Sequence, residues 1–342
     1  MDNDKRELMC KVVNANIKAD MNKNKIAIVV AYFGKFPNYF PLWLKSCGSN
    51  PNIDFIIVTD QKVDVSYANI FVKELELSDL QERATKVLGF EAALNHPYKC
   101  CDYKPLYGVL FADFLEGYDY WGHCDVDLIF GDLQHFFEKY DLYSYDRFGV
   151  LGHLSLYKNN DLMNNSYKTP DEVVDYKKVY TTDDNCIFDE LGGVYKIHKK
   201  LNLKIFVKRI FVDIATIYKR YRLIECYDLD TRPINYPIQT FCWENGKTYH
   251  IYWSDGRIHK QEYIYIHFQK RPNYKIQTEL LTSEVFYISN QGFSVCYKDN
   301  LTSGDILKMN PYKGRLYEAI EGRYNLFSRR VKNYLKRALS HK

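Results

Sequence analysis

Lys25 to Gly34, KIAIVVAYFG, is an almost unbroken apolar run, the pattern of a strand covered on both faces in a parallel sheet. Ile53 to Asp60, IDFIIVTD, repeats it and ends on a Thr-Asp pair, and Asn69 to Leu75 reads as a third strand. Between the first two, Tyr39 to Cys47 suits a crossover helix. Ser78-Asp-Leu-Gln81 is a capping-box pattern that opens a helix stopping before Asn95-His96-Pro97. Pro105, a favoured first-turn proline, opens the next helix. Its stripe is Tyr107, Leu110, Phe111, Phe114 and Leu115, and Gly117 closes it. An aromatic-rich strand follows and runs into Asp125-Val126-Asp127. Phe148 to Tyr157 reads as one further strand, and 184–200 as a mixed, partly helical region. Strands alternating with helices predict an α/β sheet with right-handed crossovers.

Beyond Tyr249 the period changes. Residues 249–253 and 258–268 alternate around Ser254-Asp255-Gly256, a hairpin signal, and 284–297 suggest one or two more strands. The pattern therefore predicts a mostly parallel half followed by a more antiparallel one. We divide the chain into a flexible lead-in at 1–24, one large domain at 25–300 and a basic helical tail at 301–342.

Composition narrows the class. With 342 residues and 46% hydrophobic content the chain can bury a large core. The net charge of +4 does not argue for nucleic acid, because the basic residues gather in one short tail without a recognition signature. The nine cysteines are scattered and form no C-x-x-C pair, the pattern of reduced thiols. The polar N-terminal segment lacks the apolar stretch of a signal peptide, and no apolar run is long enough to cross a membrane. A cytoplasmic protein is expected.

In open α/β sheets ligands bind beyond the carboxyl ends of the strands. Three polar groups fall there: Ala31-Tyr32-Phe33-Gly34, Thr59-Asp60 and Asp125-Val126-Asp127. Gly34 would let backbone approach a nucleotide and Asp60 could accept from its base or ribose, so Ala31, Tyr32, Gly34 and Asp60 are donor-site candidates. Asp125 and Asp127 share a face if the strand persists through them. Two carboxylates set together in an apolar run call for a cation or hydrogen bonds to neutralise them. A hard divalent ion would bridge them to a diphosphate, which points to sugar transfer from a nucleotide donor.

The run CDYKPLYGVLFADFLEGYDYWGHCDVDLIFGDL resembles the donor-binding core of nucleotide-sugar glycosyltransferases with the GT-A fold. In particular it is similar to bacterial polysaccharide-biosynthesis transferases that carry a Lys-Pro-aromatic-Gly helix, a Trp-Gly strand and Asp-x-Asp. IAIVVAYFGKFPNYFPLWLKSC fits the same family, and the likeness covers about 25–160 well and 180–270 loosely. The resemblance implies a Rossmann-like GT-A domain holding Mn²⁺ or Mg²⁺ on Asp125 and Asp127, with a UDP-sugar donor. It implies that His267, in YIHFQKRP, completes the metal shell and that Lys270 or Arg271 meets the donor phosphate. Asp102 and Lys104 become candidate donor contacts, and Asp125 is one as well. An acid of the Thr181–Glu190 segment, Asp189 or Glu190, becomes the candidate catalytic group, and Gly152-His153-Leu154 and Asn159 border the sugar site.

The implied acceptor is a hydroxyl of a glycan or lipid-linked glycan in surface-polysaccharide or capsule assembly. On a helix Tyr324, Phe327, Val331, Tyr334, Leu335 and Ala338 form one stripe flanked by Arg329, Lys332, Lys336 and Arg337. Such a helix suits peripheral contact with an anionic membrane, or packing on its own domain with a solvated basic face. Two other readings compete with a transferase. One is a non-catalytic nucleotide-sugar-binding or assembly protein. The other is an Asp-x-Asp phosphohydrolase, disfavoured by the Leu-Ile-Phe-Gly that follows Asp127.

Overall fold

The computed structural model describes residues 24–172, 174–225, 232–269, 271, 274, 276–295 and 300–340, without the side chains of 333 and 336–340. The lead-in before residue 24 and Lys270 thus lie outside the described residues, as do the tail side chains of Lys336, Arg337 and Ala338.

The strands are β1 (Ile26–Ala31), β2 (Ile53–Thr59), β3 (Ile70–Glu74), β4 (Tyr120–Cys124), β5 (Leu128–Phe130), β6 (Arg147–Leu151), β7 (Leu154–Lys158) and β8 (Ile205–Phe206). They continue with β9 (Val212–Asp213), β10 (Gln239–Glu244), β11 (Lys247–Ser254), β12 (Arg257–Tyr263), β13 (Tyr265–His267), β14 (Val285–Ser289) and β15 (Gly292–Ser294). A seven-stranded sheet has the order β3-β2-β1-β4-β7-β6-β8. Its β3, β2, β1 and β4 are mutually parallel, and β7 enters antiparallel. An antiparallel five-stranded sheet, β12-β11-β10-β14-β15, forms the C-terminal half, and β5-β13-β9 make a small third sheet. The α/β class, the parallel first half and the antiparallel second half are as the hydrophobic pattern predicts.

The apolar runs behave as buried strands should. β1 and β2 are buried along almost their whole length, and both faces are covered by separate apolar clusters. One face carries α1 (Phe40–Gly48), whose Trp43 is fully buried against Phe55 and Phe130. The other carries α2 (Leu77–Leu88) and the irregular helical stretch around residues 97–110.

Four expectations are corrected. Phe148 to Tyr157 is not one strand but the hairpin β6–β7, turned at Gly152-His153 and bulged at Gly149, whose φ of 77° a side chain would not tolerate. The helix expected from Pro105 starts earlier and is broken into short turns: Pro97–Lys99, Cys100–Tyr103, Lys104–Leu106 and Tyr107–Leu110. The capping box of α2 is made by Glu76 and Asp79 rather than Ser78 and Gln81. The alternating run 258–268 divides at Ile264 between β12 and β13, which lie in different sheets. The hairpin at Asp255-Gly256 forms as expected, with both residues at positive φ.

Candidate active site

The acidic motif sits where the chain changes sheets. β4 ends at Cys124, Asp125 and Asp127 occupy the link, and β5 begins at Leu128 in the small sheet. The link is not strand, so the side chains are placed by tertiary bonds rather than by alternation. The Asp125 N–H donates to the His153 carbonyl at the β6–β7 turn, and the Asp127 carbonyl accepts from Phe268 N–H at the end of β13. Register across the small sheet sets Leu128 opposite His267, and His267 beside Asp213 at the end of β9.

Asp125, Asp127 and His267 each offer a ligating atom within 4.8 Å of the others, which is close enough for one divalent ion to meet all three at bonds of about 2.0–2.4 Å. Two carboxylate oxygens and an imidazole nitrogen are a donor set that fits Mn²⁺ or Mg²⁺, the imidazole favouring the former. The second ring nitrogen of His267 supports this use. Its Nδ1 lies 2.8 Å from Asp213 Oδ1, while Nε2 lies 3.4 Å from Asp127 Oδ1. A carboxylate that fixes the far side of an imidazole is the usual support for a ligating histidine. Burial alone would depress the His267 pKa, but Asp127 and Asp213 outweigh it and hold it well above the ordinary value. Gln269 also donates to Asp213, at 2.9 Å. His153 stacks on His267, 4.5 Å between rings. Burial and the His267 charge push its pKa down to about 3. Its Nδ1 pairs with the Tyr265 hydroxyl at 2.9 Å.

Lys104 closes the other side. Its ammonium donates to Asp125 Oδ1 at 2.7 Å, the Gly152 carbonyl at 2.7 Å and Asp189 Oδ2 at 3.0 Å, which uses all three protons. Burial opposes the charge, but Asp125 and Asp189 raise the Lys104 pKa well above its usual value. Asp189 is buried, which raises its pKa against the lowering pull of Lys104. Glu190 is half-buried and its pKa is raised by burial and then by Asp189, with Asp125 and Asp213 adding to it.

Asp102 explains how Asp189 arrives there. It is fully buried and accepts from Cys186 N–H at 2.8 Å, Phe188 N–H at 2.9 Å and Lys99 Nζ at 2.8 Å. The residue between those two amides, Ile187, is held at φ 55°, a conformation that a β-branched side chain strongly disfavours. Gly152 leaves room for the result, since a Cβ there would lie 2.3 Å from Asp189 Oδ2.

The donor-site candidates gather at the neighbouring strand ends. Ala31 and Tyr32 are half-buried at the end of β1, and the Gly34 N–H donates to Asp60 Oδ1 at 2.8 Å. Slight burial raises the Asp60 pKa, but the Gly34 amide and the Gln61 side chain outweigh it and hold the pKa below the ordinary value. Tyr32 stacks on Phe36, and Phe36 on Phe40, at 4.7 and 3.8 Å. Tyr39 bridges the two groups: burial first, then the fields of Asp127, Tyr32 and Asp125, push its phenol pKa far up. Arg271 donates to the Phe268 and Ala215 carbonyls.

One expectation fails here. Asn159 does not border the site: it follows β7, beside the first residue of β4, and its amide donates to the Leu115 and Tyr118 carbonyls. Asp125 lies at the opposite end of β4. The pattern reading missed Asp213, Gln269 and Tyr39. An acid ending the apolar run Ile210-Phe-Val-Asp213 was the available signal for the first.

The fold and site define an α/β protein with a carboxylate–imidazole cluster at the carboxyl ends of a mostly parallel sheet. A family described as "Family of unknown function (DUF6625)" matches residues 28–296, and the chain belongs to it. No curated protein matches the sequence. Among solved structures the chain is similar to the galactosyltransferase LgtC in complex with donor and acceptor sugar analogs, at 11% identity and a TM-score of 0.33, over 55% of this chain and 75% of that one. It is also similar to the glycosyltransferase GlyE of Streptococcus pneumoniae TIGR4, at 17% identity and a TM-score of 0.23, over 41% and 36% of the two chains. Mouse xyloside xylosyltransferase 1, in its apo form, is similar at 9% identity and a TM-score of 0.30, over 56% and 88%.

Proposed function

We propose that this protein is a metal-dependent glycosyltransferase of the GT-A type. It moves a sugar from a nucleotide-diphosphate donor, a UDP-sugar, to a glycan or lipid-linked glycan hydroxyl in bacterial surface-polysaccharide assembly on the cytoplasmic side. The observation that carries this reading is the gathering of Asp125, Asp127 and His267 ligand atoms within 4.8 Å, at the end of a strand paired parallel to β1. The sequence resemblance supports the donor class.

Asp125, Asp127 and His267 would hold Mn²⁺ or Mg²⁺, which supplies Lewis-acid stabilisation of charge on a departing diphosphate. Asp213 keeps the His267 ring oriented. The Gly34–Asp60 corner and the Tyr32–Phe36 stack offer a backbone approach, an acceptor oxygen and ring faces to a nucleoside. Lys104 sets the position of Asp125 and Asp189, and Asp102 sets the loop that carries Asp189. Glu190, half-exposed and with a raised pKa, is the acid we assign to the acceptor side, where a base must reach the attacking hydroxyl. Lys270 remains a phosphate contact on the resemblance alone.

The test is calorimetry with UDP-, GDP-, dTDP- and CMP-sugars, with Mn²⁺ or chelator, on the wild type and Asp127→Ala. Metal-dependent binding of one nucleotide, lost in the variant, supports the donor site. Absence of binding to all four by folded protein overturns the reading. Binding without nucleotide release in the presence of glycan acceptors favours the non-catalytic alternative.

A further inference from the structure

The final helix, α3 (Arg315–Ser340), is amphipathic, and it is docked the wrong way round for a soluble domain. A surface helix ordinarily turns its apolar stripe to the core and its polar face to water. Here the polar face is the one that packs. Glu318, Gly322, Asn325 and Arg329, at i, i+4, i+7 and i+11, share that side. Glu318 is buried between Arg220 at 2.8 Å and Arg222 at 2.7 Å. Gly322 lies flat against Tyr218, so that a Cβ would come within 2.9 Å of the ring. Asn325 Nδ2 donates to the Ile217 carbonyl and Arg329 to the Thr216 hydroxyl, each at 2.6 Å.

The apolar face points out. Leu316 is 75% exposed, Ile320 60%, Tyr324 69%, Phe327 67%, Val331 39% and Tyr334 73%. These six recur every three or four residues and form one continuous stripe. A helix of 26 residues is about 39 Å long at 1.5 Å per residue, so the stripe runs along most of that length. From Arg323 onward the stripe is accompanied by charge of one sign. Arg323, Arg330 and Lys332 are exposed, and from Arg323 to the end of the sequence there is no acidic residue and seven Lys or Arg. The acids of the helix, Glu318 and Glu321, precede that segment, and Glu318 is buried in the docked face. Aromatic rings among aliphatic side chains, edged by cations, match the boundary between acyl chains and anionic headgroups. No helix among the described residues is long and apolar enough to cross a membrane.

We propose that α3 is a membrane-docking element that lays its outward apolar stripe on an anionic lipid surface, held to the domain by Glu318, Asn325 and Arg329. The proposal is independent of the transferase reading. Its test is cosedimentation of the full chain with vesicles of phosphatidylcholine alone and of phosphatidylcholine with an equal part of phosphatidylglycerol. Wild type should pellet with the anionic vesicles only, and added salt should weaken the binding. Phe327→Ser with Tyr334→Ser should reduce partitioning more than about tenfold, and Arg323→Glu with Arg330→Glu likewise. Both pairs are exposed, so an unchanged thermal transition would confirm that the domain is intact. Wild type left in the supernatant, or bound equally to neutral vesicles, overturns the proposal. So does a dimer in sedimentation velocity that Phe327→Ser dissociates, which would assign the stripe to a second copy.

Discussion

Asp213 Oδ1 lies 2.8 Å from Nδ1 of His267, on the far side of the ring from Asp127. Asp213 is fully buried, so its charge is felt by the imidazole and by Gln269 rather than by water. In the proposed site, where Asp125, Asp127 and His267 hold the ion, it is a positioning residue; the ligand atoms of Asp213, His153 and His267 also lie within 4.8 Å of one another. Asp213→Asn should leave the chain folded but weaken Mn²⁺ affinity about 10–100-fold, as loss of such outer partners does. Calorimetric titration of the variant with Mn²⁺ decides it: unchanged affinity would mean that the Asp213 charge gives the ion no support through His267.

Lys104 neutralises two acids from distant parts of the chain. Lys104→Met leaves Asp125 and Asp189 facing each other without a cation, a change of the kind that costs about 3–5 kcal/mol. Adding Asp189→Asn to that variant should restore part of the loss. Denaturant melts of the two single variants and the double measure the coupling. Additive effects would mean that the 3.0 Å contact carries no net stability.

Asp102 should act on the site through the chain at Cys186–Asp189. Asp102→Ala removes the acceptor for two backbone amides and the partner of Lys99, so Ile187 loses what holds it at positive φ. We expect protease cleavage within 184–190 to accelerate, and stability to fall by about 3 kcal/mol or more for the uncompensated Lys99 charge. Limited proteolysis that is unchanged from wild type would show that the loop is held by other contacts.

His250 gives a pH signature away from the site. Burial and then the Arg220 charge lower its pKa to about 3, from 6.5 in an unfolded chain. The depressed value means that the contribution to stability is full above pH 6.5 and is lost as pH falls toward 3. His250→Gln keeps a partner for Gln239 and cannot take up the proton. Its stability should decline less steeply over that window, by up to about 1.4 kcal/mol per pH unit. Urea melts from neutral to acid pH make the comparison.

The parallel strands were legible because burial on both faces leaves an unbroken apolar run, as in β1 and β2, and their ends located Gly34, Asp60 and Asp125. Asp213 left only a faint signal, the acid after a three-residue apolar run, because β9 is two residues long and acquires its meaning by pairing with β13. The Gly152-His153 turn was hidden for a related reason. Leu151 and Leu154 are both apolar, and periodicity cannot mark a two-residue reversal between buried strands. The tail stripe was visible in the sequence, but its direction was not. Which face docks was decided by Glu318 finding Arg220 and Arg222, residues almost a hundred positions away.

Asp125 and Asp127 bridge two separately bonded sheets. The backbone of Asp125 is tied to the hairpin of the large sheet, while Asp127 is tied to β13 of the small one. An ion on Asp125, Asp127 and His267 would therefore rivet one sheet to the other as well as meet a ligand. Cation concentration would then set the resistance of the whole domain to unfolding, with stability rising with the logarithm of ligand over dissociation constant. A thermal melt becomes a gauge of occupancy that needs no sugar.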